Sequence, residues 1–269
     1  MAEAKPHLEA AITLAEQLNL PVIHGYAEVV LGSARTASGE AEHGLAMLEA
    51  GTERLRQAGE AGAWYLGAAY LSRALLAFHQ QAAETGRLAA QAALTVFQAL
   101  GQPYGIGLAH NYLGDAARLK GNLPTATTHY ALSLRLLRAA EIKSEIPAVL
   151  HNLGHVALAQ GDFQQAEALF GEGLAMHQDA GNGMGVAQCL AGLALICAAS
   201  GQPRRAARLF GTITALTQAS DLPMWASTQP EVQRALLATQ TQLSAAEWQA
   251  AFEVGKFLSV NEALAPEKA

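Results

Sequence analysis

A gap-free repeat of 40 residues is the feature of this sequence that most restricts its fold. The segments beginning at His110, Leu150 and Leu190 align without insertions. The recurring residues are Leu113, Leu153 and Leu193; Gly114, Gly154 and Ala194; Gly121, Gly161 and Gly201; Ala126, Ala166 and Ala206; and Tyr130, Phe170 and Phe210. Such a period indicates stacked structural units, none of which can bury its apolar face alone.

The composition predicts that each unit is helical. Hydrophobic residues make up 51% of the chain and aromatic residues only 6%, so the apolar content is mainly alanine and leucine, which favour helices. Gly121 and its equivalents suit the left-handed residue that ends a helix, and Asn122 and Asp162 suit the N-cap of the next one. We therefore predict an all-α fold, a right-handed superhelical solenoid of antiparallel helix pairs with a C-terminal helical cap.

The pattern divides the chain into a repeat array over residues 1–220, with about five helix pairs, and capping helices over 221–269. Predicted helices are 3–18, 22–37, 40–58, 63–81, 84–100, 104–120, 123–140, 145–160, 163–179, 184–200, 203–219, 229–241, 245–257 and a short one after Ser259. Capping boxes at Thr228–Glu231 and Ser244–Glu247 start two cap helices, with Trp225, Trp248, Phe252 and Phe257 as expected packing groups. The first pair is incomplete, so we expect Met1 to begin a piece of a longer array.

Charge and cysteine usage exclude several classes of function. The net charge is −6 and no dense run of lysine or arginine occurs, so no direct nucleic-acid partner is expected. The longest apolar run, residues 186–199, is too short to span a membrane. Cys189 and Cys197 are expected to be buried thiols, and the chain to be cytoplasmic and to need no cofactor.

The recurring leucine–glycine, glycine, alanine and aromatic positions resemble tetratricopeptide (TPR) repeats. The 40-residue period, the linker Ala180–Asn182 and the segments Arg205–Gly211 and Ala246–Leu264 are similar to the C-terminal repeat regions of bacterial signal-transduction ATPases and LuxR-type or adenylate-cyclase-linked regulators. This resemblance implies a cytoplasmic sensor region that binds a protein or a small effector. The nucleotide-binding motif of such regulators is absent from the sequence, and Gly181–Gly185 is predicted to be a loop between helices.

Five polar residues are the candidate binding site. The first helix of each pair lines the concave face of such solenoids, and the positions two before, two after and five after the repeat leucine should face inward. These positions hold Asn111, Asp115, Arg118, His151 and His155, which would grip a protein segment, a peptide or a small ligand. The alternative is that Asp115 and His155 pair across neighbouring helices while the other side chains remain solvated.

Two other functions remain open at this stage. The inward positions of the last repeat are Ala191, Leu195 and Ala198, which form an apolar groove end suited to a structural scaffold or to self-association. Asp115, His151 and His155 also have ligand types that bind metal, which would make the chain a metal-dependent enzyme. No Gly-x-Ser-x-Gly or other nucleophile motif supports catalysis, and the oligomeric state is not determined by the sequence.

Overall fold

Every regular element that the structure describes is helical. A computed structural model describes residues 4–219 and 230–265, which form fourteen α-helices and one short 3-10 helix, Gly59–Gly62, with no strand in these ranges. The helices are α1 Ala4–Gln17, α2 Pro21–Ala37, α3 Ala41–Gln57, α4 Ala63–His79, α5 Ala83–Ala99, α6 Pro103–Leu119, α7 Leu123–Ala139, α8 Ile146–Ala159, α9 Phe163–Asp179, α10 Gly183–Ala199, α11 Pro203–Ala219, α12 Pro230–Thr241, α13 Ala245–Gly255 and α14 Val260–Leu264. The all-α prediction is confirmed.

Most linkers between helices are three residues long and contain one residue in the left-handed region. Gly121, Gly161 and Gly201 have φ angles of 74°, 78° and 74°, as their repeat position predicts. Gln81 and Glu141 adopt the same conformation at φ 58° and 56°, so non-glycine residues also fill this place. Helices of 17 residues joined in this way make a half-repeat of 20 residues.

Side-chain caps set several helix starts, as the sequence predicts. The side chains of Asn122 and Asp162 accept hydrogen bonds from the backbone N–H groups of the third helical residue. Asn182 caps α10 in the same way, so the glycine-rich segment predicted as a loop instead supplies the first turn of that helix. Complete capping boxes start α13 and α14. The predicted box at Thr228 and the packing group Trp225 lie outside the described residues.

Residues 1–143 and 144–269 form two compact units. The first contains α1 to α7, with α2/α3, α4/α5 and α6/α7 as antiparallel hairpins and α1 packed on α2. The first helices α2, α4 and α6 pack against one another more closely than the second helices α3, α5 and α7 do. We therefore call the side of this unit that α2, α4 and α6 form its inner side.

Aromatic rings of the second helices pack against glycines of the first helices. A Cβ atom added to Gly154 would lie 2.8 Å from the Phe170 ring, and one added to Gly192 would lie 2.6 Å from the same ring. Gly114 is related to Tyr130 in the same way. The atoms nearest to these added Cβ positions belong to the rings. Phe170 thus fills the space between two successive hairpins.

The hairpin α4/α5 is the least regular repeat. In it the large aromatic residue stands on the first helix and the glycine on the second, the reverse of the other hairpins described above. Ala74 and Ala90 occupy the places of Gly114 and Tyr130, and both are fully buried. Phe78, on the first helix, packs against Gly86 on the second, closer than a Cβ atom would allow. The ring is therefore supplied from the opposite side, which keeps the hairpin filled although its repeat pattern is degenerate.

The second unit contains α8 to α14, with α10 at its centre. Twelve of the 17 residues of α10 are buried, including Ala191, Leu195 and both cysteines. Helix α12 packs against α10, so the predicted apolar groove end is covered and is not an open surface. No helix in the described ranges is both long and apolar enough to cross a membrane.

The cap helix α13 crosses α11 at two glycines. A Cβ atom at Gly211 or at Gly255 would collide with the backbone of the other helix. The Thr212 hydroxyl donates a hydrogen bond of 2.8 Å to the Gly255 carbonyl at this crossing. Trp248 is buried in the core and Phe252 packs against it, as predicted. Phe257 was predicted to pack as well, but its side chain is 86% exposed because it follows the end of α13.

Candidate functional site

The three candidate residues of the first unit lie on the last inner helix, α6. Asn111 is buried, with 6% of its surface exposed, whereas Asp115 and Arg118 are partly buried. The three positions fall on one side of the helix because they are separated by four and three residues. Glycine at position 114 lets the neighbouring helix α7 approach this stretch closely.

Asp115 is held by a tyrosine from the second helix of its hairpin. The hydroxyl of Tyr130, which is fully buried, donates a hydrogen bond of 2.7 Å to the Asp115 carboxylate. Burial raises the pKa of Asp115 to about 6, although the tyrosine hydrogen bond and the positive charge of Arg118 oppose that rise. The pKa of Tyr130 is raised by burial and by the carboxylate. Asp115 therefore changes charge close to neutral pH.

The two candidate histidines of the second unit form a pair on α8. The Nε2 atoms of His151 and His155 are 3.1 Å apart, and one ring meets the other edge to face with centroids 4.5 Å apart. Both rings also contact Phe170, at centroid distances of 5.6 and 5.3 Å. His155 occupies the repeat position of Asp115, and Phe170 that of Tyr130. The aromatic residue therefore carries a hydroxyl in the repeat where its neighbour is a carboxylate that accepts one.

A second histidine pair joins α6 to α7 and was not found from the sequence. His110 and His129 have Nδ1 atoms 3.1 Å apart, ring centroids 5.4 Å apart and an angle of 25° between the rings. The rings therefore meet edge to edge, with one Nδ1–H donating to the other nitrogen. Burial lowers the pKa of both, and for His110 the nearby His129 lowers it further.

The repeat alignment contained a signal for this pair. The same two positions hold Leu150 with Leu169 and Leu190 with Leu209 in the following repeats. Leu150, Leu190 and Leu209 are fully buried. In this one repeat, two histidines therefore make a polar contact where the following repeats have two leucines.

Metal binding and thiol chemistry find little support in the described ranges. No group of three or more histidine, cysteine, aspartate or glutamate side chains in them is placed to hold a metal ion. Cys189 and Cys197 are free and buried, as predicted, and burial raises the pKa of Cys189 to about 12. A thiol in such surroundings is a poor nucleophile at neutral pH.

Stacked helical hairpins with a distinct inner side define the chain as a helical repeat protein. Residues 145–219 match the family model of the tetratricopeptide repeat. The fold is similar to that of BtubC (BKLC) from P. vanneervenii, with a TM-score of 0.67, 16% identity and coverage of 82% of this chain and 92% of that one. It is also similar to aspartyl phosphate phosphatase F from Bacillus subtilis, with a TM-score of 0.69, 14% identity and coverage of 97% and 67%.

These comparisons agree on the fold and leave the activity undetermined. Among curated protein sequences, none is significantly similar to this chain. At 14% and 16% identity, the structural similarity establishes architecture alone. The chain therefore contains a TPR-like helical repeat region, as the repeat positions predict.

Proposed function

We propose that this chain is a non-catalytic interaction module of a bacterial cytoplasmic regulator, which recognises a protein segment or a small effector on the inner side of its first helices. The observation that carries the proposal is the packing of α2, α4 and α6 against one another. We infer that polar residues of α6 face the inner side of this stack of hairpins. TPR repeats are typically protein-binding repeats, and such inner surfaces are the usual binding faces of helical repeat proteins.

Asp115 and Arg118 give this surface a recognisable chemistry. A carboxylate and a guanidinium on adjacent turns can bind a backbone amide and an acidic group of one extended segment. On α8 of the second unit, His151 and His155 offer imidazole nitrogens that donate or accept hydrogen bonds. Asn111 is buried, so we assign it to the support of α6 and not to direct contact with a partner.

A binding experiment with a matched control tests the inner surface. Peptides selected from a random displayed library against the full chain are synthesised, and their affinity is measured by calorimetry. Arg118→Ala should weaken binding at least about tenfold, while Arg135→Ala, on the exposed outer side of α7, should leave it unchanged. His151→Ala tests the α8 residues separately, and thermal melts verify that each variant folds. Unchanged affinity in both Arg118→Ala and His151→Ala would show that the inner surface is not the binding site.

Self-association remains the second function to test, now at a different surface. The predicted groove end is covered, but Leu237, Val254 and Phe257 of the C-terminal helices are 58%, 53% and 86% exposed. Light scattering at several concentrations detects a dimer, and Phe257→Ser should abolish it if these side chains form the contact.

A further inference from the structure

A cavity of about 380 Å³ lies in the second unit where α11, α12 and α13 meet. Each helix contributes one apolar stripe at helical spacing. The apolar lining consists of Phe210 and Ile213 from α11, Val232 and Leu236 from α12, and Trp248 and Phe252 from α13. Small-molecule sites occupy about 300–1,000 Å³ and are mostly apolar, so this cavity has the size and character of a compact ligand site.

Aromatic rings form one wall of the cavity. The Trp248 ring has its centroid 6.3 Å from that of Phe210 and 6.0 Å from that of Phe252, with an angle of 24° between the Trp248 and Phe252 planes. Trp248 lies in the first turn of α13, directly after Glu247 of the capping box, and its backbone N–H donates a hydrogen bond of 2.9 Å to the Ser244 carbonyl. The wall therefore offers a rigid aromatic surface against which a planar group can pack.

The part of the lining that the structure describes carries no charged side chain. None of these described residues is aspartate, glutamate, lysine, arginine or histidine. The hydroxyls of Thr214 and Thr217 donate to carbonyls of their own helix, at 2.8 and 3.0 Å. Gln240 and Gln249 are exposed lining residues, and the Gln249 amide donates a hydrogen bond of 2.9 Å to the Glu253 carboxylate. A charged group taken into this interior would lose its hydration without gaining a partner.

The wall formed by α11 and α13 is held in place independently of any ligand. The crossing at Gly211 and Gly255 brings the two backbones into contact, and the Thr212 hydroxyl bonds across it. Substituting either glycine would force the helices apart. The aromatic side of the cavity is thus pre-formed, which lowers the entropy lost when a ligand binds.

We propose that this cavity binds a small, uncharged and largely apolar molecule, with an aromatic or equivalent flat group packed against Trp248 and any single polar group directed towards the exposed Gln240. This site is separate from the polar residues of α6 and α8, so it adds a second binding function to the one proposed above. Either function can fail in experiment while the other holds.

Two fluorescent probes that share one ring system test the proposal. N-phenyl-1-naphthylamine is uncharged, and 8-anilinonaphthalene-1-sulfonate adds one sulfonate to the same rings. Each probe is titrated into the full chain carrying Trp64→Phe and Trp225→Phe. Of the three tryptophans in the sequence, only Trp248 then remains. We expect saturable binding of the neutral probe with quenching of Trp248, and an affinity at least about tenfold weaker for the sulfonate.

Substitutions at adjacent positions of α12 provide the matched control. Leu236→Trp fills the cavity and should reduce the affinity for the neutral probe at least about tenfold, whereas Leu237→Trp, on the exposed side, should not. Gln240→Trp blocks the mouth at an exposed position where folding is not threatened, and should also reduce binding. The proposal is overturned if the neutral probe does not saturate, if both blocking variants bind as the parent does, or if the sulfonate binds equally well.

Discussion

Glycine 154 illustrates how single residues control the packing of these hairpins. Because Gly154 has no side chain, the Phe170 ring can pack against its backbone. Gly192 of the next hairpin packs against the same ring. In the first unit, Gly67 and Gly105 enclose Phe97 in the same way. Glycine lowers the intrinsic stability of a helix, so its presence here is explained by the close approach of an aromatic ring.

Alanine substitutions at two glycines should therefore have opposite effects on stability. Gly154→Ala places a methyl group against the Phe170 ring and should lower the free energy of unfolding by about 1–3 kcal/mol. Gly171→Ala, in α9, meets no atom within 4 Å and should raise it by up to about 1 kcal/mol through helix propensity. Urea denaturation of both variants measures the difference. Equal effects at the two sites would contradict the packing described here.

The buried carboxyl of Asp115 should make stability depend on pH in an identifiable way. Its pKa is raised to about 6 from the ordinary aspartate value of 3.8, so the folded chain holds this proton more tightly than the unfolded chain. The resulting stabilisation is complete below about pH 4 and is lost as the pH rises through 6. Asp115→Asn removes this loss and still accepts the Tyr130 hydrogen bond.

We expect the stability of Asp115→Asn relative to the parent to increase by about 1–2 kcal/mol between pH 4 and pH 7.5, allowing for partial solvent exposure. The comparison with the parent at each pH cancels the contributions of other groups, such as Glu84, whose pKa is lowered to about 2 by Arg87 and Lys120. Chemical denaturation at the two pH values measures the change. If the difference in unfolding free energy between Asp115→Asn and the parent stays constant with pH, the pKa of Asp115 is not raised in the folded chain.

Individual contacts at the candidate site were harder to predict than the positions of its residues. The repeat placed Asp115 on α6 and Tyr130 on α7, but it gave no rotation of one helix against the other, so their hydrogen bond could not be derived. His110 and His129 stand where one repeat differs from the others, so a pattern of recurring positions does not single them out.

At the scale of helices, the sequence was sufficient to predict where a helix begins or ends wherever a capping or turn residue marks that point. Asn122, Asp162 and Ser244 cap the helices they were predicted to cap, and the left-handed glycines end the preceding ones. Helix α8 is shorter, at 14 residues, because Pro147 in its first turn prevents an earlier start. The covering of α10 by α12 depends on tertiary packing, which no local pattern encodes.

The irregular hairpin α4/α5 provides a test of compensation between two helices. Phe78→Leu alone leaves space around Gly86, and Gly86→Ala alone forces a methyl group against the ring. Each should lower the free energy of unfolding, by about 1–3 kcal/mol. The double variant should be more stable than the sum of the two losses predicts, with a coupling of at least about 0.5 kcal/mol.

Circular dichroism during urea unfolding measures the four members of this double-mutant cycle. Additive losses would mean that Phe78 and Gly86 do not pack on each other. Thr95→Ala, at an exposed position of α5, serves as a control that should not couple to Phe78.

At the scale of the molecule, the two cysteines report on the second unit. Cys189 and Cys197 are 0% and 4% exposed in its central helix, so a thiol reagent reaches them only when the unit opens. Their reaction with Ellman's reagent in buffer should be at least roughly 100-fold slower than in denaturant. Leu237→Cys adds an exposed thiol that should react at once. Rapid reaction of the native cysteines would show that α10 is not buried.

The short linkers, each with one residue in the left-handed region and open space around it, have a consequence for how such a chain can change over generations. Next to Gly121, Gly161 or Gly201, nothing lies within 4 Å of an added Cβ atom. Where the 40-residue period is unbroken, duplication or deletion of one repeat leaves the remaining residues at equivalent repeat positions. This holds wherever the genetic breakpoints fall. Unequal recombination can therefore lengthen or shorten an array of this design without requiring new linkers.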